Sequence, residues 1–191
     1  MNREALLEVI ENARIAGATE LDLNHKQLRE IPAEIGQLIK LETLTLDENQ
    51  LSEIPAEMGS LKSLRSLDLN NNQLCELPVE IAKLKSLQDF SLYNNQLSEV
   101  IVEIGQLRNL RTLDLRLNRL GKIPVELGGL KNLVRLYLND NQLSQVPVEV
   151  KQLQRLITLE FSNNQISDPI SEDPKPPKRK AQKKPPERKP W

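Results

Sequence analysis

Tyr93 and Arg116 stand 23 residues apart in this chain, and Arg135 and Tyr137 follow close to one more such interval on. Leu117 adjoins Arg116, Asp114 precedes it by two, and Asn139 and Asp140 lie just beyond Tyr137. These residue types suit recognition rather than bond-making. Tyr and Arg carry much of the binding energy at protein interfaces, because each brings large contact area and hydrogen-bond donors at low entropic cost. An outward leucine beside them is an uncommon choice for a purely solvated face. Tyr93, Asp114, Arg116, Leu117, Arg135, Tyr137, Asn139 and Asp140 are therefore the candidate protein-binding patch. A plainer reading stays open, in which Tyr137 and Arg116 only cover neighbouring strands and Asp114 pairs with an arginine.

Bond-making candidates are few. His25 is the only histidine and Cys75 the only cysteine. A metal site or a histidine-dependent catalyst needs more partners than His25 offers in sequence, so a solvated role is expected for it. Nothing basic is placed to activate the Cys75 thiol. Neither G-x-x-x-x-G-K-[ST] nor G-x-G-x-x-G occurs; "LGGLKNL" at 127–133 only imitates a phosphate loop. The expectation is a non-enzyme with no cofactor, no metal and no small-molecule substrate.

What positions the patch is a repeat. Written in rows of 23, one column holds Leu21, Leu44, Leu67, Phe90, Leu113, Leu136 and Leu159. Two residues on stand Leu23, Leu46, Leu69, Leu92, Leu115, Leu138 and Phe161, and five further Leu28, Leu51, Leu74, Leu97, Leu120, Leu143 and Ile166. Between these last two columns run Asn49, Asn72, Asn95, Asn118, Asn141 and Asn164, with Lys26 breaking the pattern in the first row. Alternating apolar residues predict a short strand with one buried face. Consecutive rows pair in parallel, and the asparagines satisfy backbone groups where the chain leaves each strand. Seven strands about 4.8 Å apart make an arc roughly 29 Å long with the strands on its concave side.

The other half of each row, as in "IPAEIGQLIKL" at 31–41, returns along the convex side. Proline starts a short helical or irregular turn, and Gly36, Gly59, Gly105 and Gly128 are expected to let it stop. Glu34, Glu57, Glu80, Glu103, Glu126 and Glu149 recur once per row and read as a solvated stripe near each turn's start. No row can bury its leucines alone, so the end rows need covers. Residues 2–16 predict an amphipathic helix with Leu6, Val9, Ile10 and Ala13 on one stripe, a cap for the first row. No comparable cap is visible at the other end.

The columns match L-x-x-L-x-L-x-x-N-x-L, so the chain resembles the leucine-rich repeat family. Rows with "IPxEIGxLxxL" look like its 23-residue intracellular and bacterial, Ras-suppressor-like type. The resemblance departs at Lys26, at Ile101 where other rows have proline, and in the last row. It implies an α/β solenoid: a horseshoe with a seven-strand parallel concave sheet, short helical or irregular convex turns, and a concave face that binds other proteins. Similar rows precede GTPase domains in ROCO-type proteins; no GTPase motif is present here, so that activity does not carry over.

Composition sets the remaining expectations. Hydrophobic residues make up 38% and aromatics 3%, so the core is aliphatic. No apolar run reaches the ~18 residues of a membrane span. "MNREALLEVIENAR" is charged throughout, unlike a secretory signal, and one cysteine permits no internal disulfide; the expected location is the cytoplasm. The net charge of −1 hides a split. Residues 171–191 carry eight Lys/Arg against three acids, whereas the other 170 residues carry eighteen against twenty-four. The chain thus divides into a capping helix (1–17), seven repeats (18–170) and a disordered Pro/Lys-rich tail (171–191). These features predict a protein-binding scaffold, expected as a monomer although the sequence leaves its oligomeric state open, whose acidic concave residues favour a partner with a basic segment. The alternative is an anchor whose basic tail contacts nucleic acid or anionic membrane, with the repeats as spacer.

Overall fold

The computed structural model describes residues 1–166. The basic tail, and with it the expectations of disorder and of contact with nucleic acid or anionic membrane, lies outside the described residues. Seven three-residue strands form one parallel sheet in chain order: β1 (Glu20–Asp22), β2 (Thr43–Thr45), β3 (Ser66–Asp68), β4 (Asp89–Ser91), β5 (Thr112–Asp114), β6 (Arg135–Tyr137) and β7 (Thr158–Glu160). The register repeats the sequence period without slip: Leu21 faces Leu44, Leu44 faces Leu67, and Leu67 faces Phe90. The alternation that predicted strands appears as burial. Leu44 and Leu46 are fully buried, whereas Thr43 and Thr45 between and beside them are partly open. Phe90 takes a leucine position and is still only 1% exposed. The side chains of successive rows thus merge into one aliphatic spine, each contributing about 1.5–3 kcal/mol on burial.

The asparagine column does for the backbone what leucine does for the core. Asn95 Oδ1 accepts from the Leu74 N–H at 3.0 Å, and its Nδ2 donates to the carbonyls of Leu69 at 2.9 Å and Leu92 at 3.1 Å. Leu69 and Leu74 belong to the preceding row, so each asparagine closes the turn before its own. Asn49, Asn72, Asn118 and Asn141 repeat the pattern and are equally buried. An unsatisfied buried N–H costs about 1–3 kcal/mol, which makes any apolar substitution here expensive. Lys26 can break the column because no row precedes it; its carbonyl instead accepts from the N-terminal amine of Met1 at 2.6 Å.

On the convex side the chain forms five short 3₁₀ turns: Ala33–Gln37, Ala56–Ser60, Val79–Lys83, Val102–Gln106 and Val125–Gly129. The residue before each is extended, with Pro32 at φ −73° and Ile101 at φ −61°. Isoleucine therefore adopts the backbone that proline pre-sets in the other rows, and the exception at 101 changes nothing locally. The glycines correct an expectation. Gly36, Gly59, Gly105 and Gly128 do not end their turns. They sit within them, and none has positive φ. Their role is close approach: a Cβ on Gly36 would lie 2.6 Å from the Glu57 carbonyl oxygen of the next row.

Helix α1 (Arg3–Ala16) covers the first row. Asn2 caps it, Oδ1 accepting from the Ala5 N–H at 2.8 Å, and Gly17 at φ 61° ends it. Leu6 and Ile10 are buried, Val9 and Ala13 partly so. The last convex turn is a short helix, α2 (Val148–Lys151). Among the described residues no element covers β7, and Ile157 beside it is 68% exposed. No helix of the described residues is long and apolar enough to cross a membrane.

Candidate protein-binding site

The concave face is built from residues whose side chains point away from the spine. On β5 and the turn leaving it, Asp114 and Arg116 are two apart and so share that face. Arg116 Nε donates to Asp114 Oδ1 at 3.0 Å and Oδ2 at 3.1 Å, and Nη2 donates to Oδ2. The Arg116 N–H also donates to Asp114 Oδ1 at 3.1 Å, the short turn that Asp22 and Asp68 make with Asn24 and Asn70. The bond to Asp114 raises the Arg116 pKa above its ordinary value, against a smaller opposing effect of burial. Arg116 is also flanked by two aromatic rings from adjacent rows. Its guanidinium carbon lies 5.2 Å from the centre of the Tyr93 ring and 5.0 Å from that of Tyr137, within cation–π range on both sides. The charge is thereby fixed in place rather than free to sweep solvent.

Leu117 follows at φ 52° and remains 40% exposed. Its column in other rows holds His25, Glu48, Asn71, Asn94, Asp140 and Asn163, all with positive φ. Asn, Asp and His tolerate this backbone; a leucine is an outlier there, at a cost of about 1–2 kcal/mol. Leu117 thus combines backbone strain with apolar exposure beside the Arg116 stack. Of the other sequence candidates, Arg135 is exposed at the start of β6. Asn139 and Asp140 are tied into the seventh row instead. Asn139 Nδ2 donates to the Ser162 hydroxyl at 2.7 Å, and Asp140 Oδ1 accepts from Asn163 at 2.7 Å. The structure therefore joins Tyr93, Asp114, Arg116 and Tyr137 in one contact group, sets Leu117 next to it in sequence, and leaves Arg135, Asn139 and Asp140 outside that group.

The rows before the stack form an acidic lane. Burial pushes the Asp68 carboxyl up; the Asn70 N–H opposes this, and the charges of Asp47 and Asp114 add to it. Asp68 thus lies near carboxylates contributed by other rows. One grouping went unread in the sequence: His25, Asp47 and Glu48 come together at the rim of the first two rows. The signal was present, since His25 and Glu48 are one repeat apart.

Comparison with known proteins adds an identity to this geometry. A family model described as a leucine-rich repeat region matches residues 20–122, and a second, for two copies of the repeat, matches 108–150. The chain belongs to the leucine-rich repeat family. Among solved leucine-rich repeat structures, one from Leptospira interrogans is 36% identical, with a TM-score of 0.66, 88% of this chain covered and 47% of that chain. An internalin from Listeria monocytogenes is 28% identical, with a TM-score of 0.74, 84% of this chain covered and 46% of that one. The leucine-rich repeat ectodomain of the plant membrane receptor kinase GASSHO1/SCHENGEN3 from Arabidopsis thaliana was solved in complex with CASPARIAN STRIP INTEGRITY FACTOR 2. It is 37% identical, with a TM-score of 0.73, 82% of this chain covered and 20% of that one. The chain spans less than half the length of each. A search of curated proteins finds no match.

Proposed function

We propose that this leucine-rich repeat chain is a non-enzymatic scaffold that holds another protein against its concave face, centred on Tyr93, Arg116, Leu117 and Tyr137. The observation that carries the reading is the ordered stack. Arg116 is braced by two rings and a carboxylate, so little further entropy is lost when a partner lies across it, and a strained leucine stands open alongside. Arg135, Asn139 and Asp140 form its outer margin. The acidic lane through Asp47 and Asp68 favours a partner with a basic segment, by steering more than by affinity. The similar plant receptors RGFR1, a peptide hormone receptor, and GASSHO1/SCHENGEN3 were solved in complex with RGF2 and CASPARIAN STRIP INTEGRITY FACTOR 2, which supports a protein or peptide partner in general.

We place the chain in the cytoplasm as a monomer of the Ras-suppressor-like type, a reading that rests on its single cysteine and its row pattern. The competing reading, a basic-tail anchor, depends on residues outside the described region. Pull-downs with the intact chain, with Tyr93→Ala plus Tyr137→Ala, and with 171–191 removed separate the two. Capture lost in the double variant and kept on tail removal is the expected result. Capture that ignores both tyrosines and fails with the tail removed would overturn it.

A further inference from the structure

The geometry points to a divalent transition-metal site at the rim of rows one and two, formed by His25, Asp47 and Glu48. One ligand atom from each residue lies within 4.8 Å of the others. His25 Nδ1 is already 3.0 Å from Glu48 Oε2. Two ligands of one tetrahedral zinc ion, at ~2.0–2.2 Å each, stand about 3.3 Å apart, so the His25–Glu48 pair needs almost no movement and Asp47 a side-chain swing of at most about 1.5 Å.

The backbone holds these side chains in place. His25 and Glu48 occupy the same column in adjacent rows, both with positive φ. The His25 N–H donates to the Asp47 carbonyl at 2.9 Å, and the Glu48 N–H donates to the Asn70 carbonyl at 3.3 Å. Asp47 is oriented from outside the group: Asn71 Nδ2 donates to its Oδ1 at 2.8 Å, leaving Oδ2 for an ion, the outer support that ligating carboxylates ordinarily have. No other row reproduces the set, because no other row has a histidine. The ligand chemistry selects the metal class. Imidazole with two carboxylates suits Zn²⁺, Ni²⁺, Cu²⁺ or Co²⁺, whereas Ca²⁺ and Mg²⁺ prefer all-oxygen shells. Three protein ligands leave a position for water or for a donor from a bound partner.

The test uses the whole chain carrying Cys75→Ser, so that the exposed lone thiol does not compete. Titration calorimetry with ZnCl₂ is expected to give one ion per chain. His25→Ala, Asp47→Asn and Glu48→Gln are each expected to weaken binding at least roughly tenfold, with unchanged far-UV circular dichroism. The sole imidazole also supplies a direct readout without any substitution at the site: its NMR signals should shift or broaden with Zn²⁺ and saturate at one equivalent. Absence of saturable binding, an affinity that His25→Ala leaves unchanged, or imidazole signals indifferent to the ion would each overturn the assignment.

Discussion

Replacing Arg116 with alanine should cost far more than an exposed arginine ordinarily would. Asp114, its partner, has a side chain only 10% exposed, while that of Arg116 is 39% exposed. Breaking a buried pair costs about 3–5 kcal/mol because a charge is left without compensation; a surface pair is worth about 0–1 kcal/mol. With one buried and one half-open partner, a loss of about 2 kcal/mol is expected from the pair. The two ring contacts add about 0.5 kcal/mol each at this exposure. Arg116→Ala should therefore destabilise by about 3 kcal/mol in urea unfolding at pH 7. Most of the pair's share is the stranded Asp114 carboxylate, so Asp114→Asn in the same chain should return about 1 kcal/mol or more. The Asn side chain still accepts the residue-116 N–H that Asp114 holds at 3.1 Å. Arg116→Lys should recover little, since lysine lacks the planar fork that bonds twice and stacks. A loss below about 1 kcal/mol for Arg116→Ala, or a double variant no more stable than the single one, would refute this account of the stack.

Two further outcomes concern neighbouring residues. Leu117→Asn places in the left-handed position the residue that occupies it at Asn71, Asn94 and Asn163; thermal melts should show a gain of about 1 kcal/mol, while pull-downs show weaker partner capture. Asp68→Asn tests the acidic lane. Because the folded-state pKa of Asp68 is raised, the folded chain binds that proton more tightly than the unfolded one. Its penalty is thus present above the raised folded value and fades as pH falls toward the ordinary carboxylate value. The variant should be more stable than the parent at pH 7 and lose that advantage by about pH 4; urea midpoints across this range decide it.

The columns of leucine and asparagine were legible because each is a local demand repeated at a constant interval: alternation needs a buried strand face, and Asn49 or Asn95 needs backbone groups to satisfy. Parallel register then followed from the period alone. The glycines were misread because their constraint is not local. Nothing near Gly36 in sequence discloses that the Glu57 carbonyl presses on it from the next row. The site shows the same division. That Asp114 and Arg116 share a face, and that Tyr93 lies in the column of Arg116, follows from the repeat. That one guanidinium contacts both rings and the carboxylate depends on side-chain directions, which spacing leaves open. The positive φ at Leu117 is likewise a backbone fact, though the prevalence of Asn and Asp in its column hinted at it.

The asparagine bonds run in one direction along the chain, and this bears on biosynthesis. The Leu28 N–H finds its acceptor in Asn49, and the Leu74 N–H in Asn95, always 21 residues later. A row leaving the ribosome is therefore incomplete until its successor has followed. At 5–20 residues per second that delay is about 1–4 s per row, during which the newest coil's amide is left to water until the asparagine that buries it has been made.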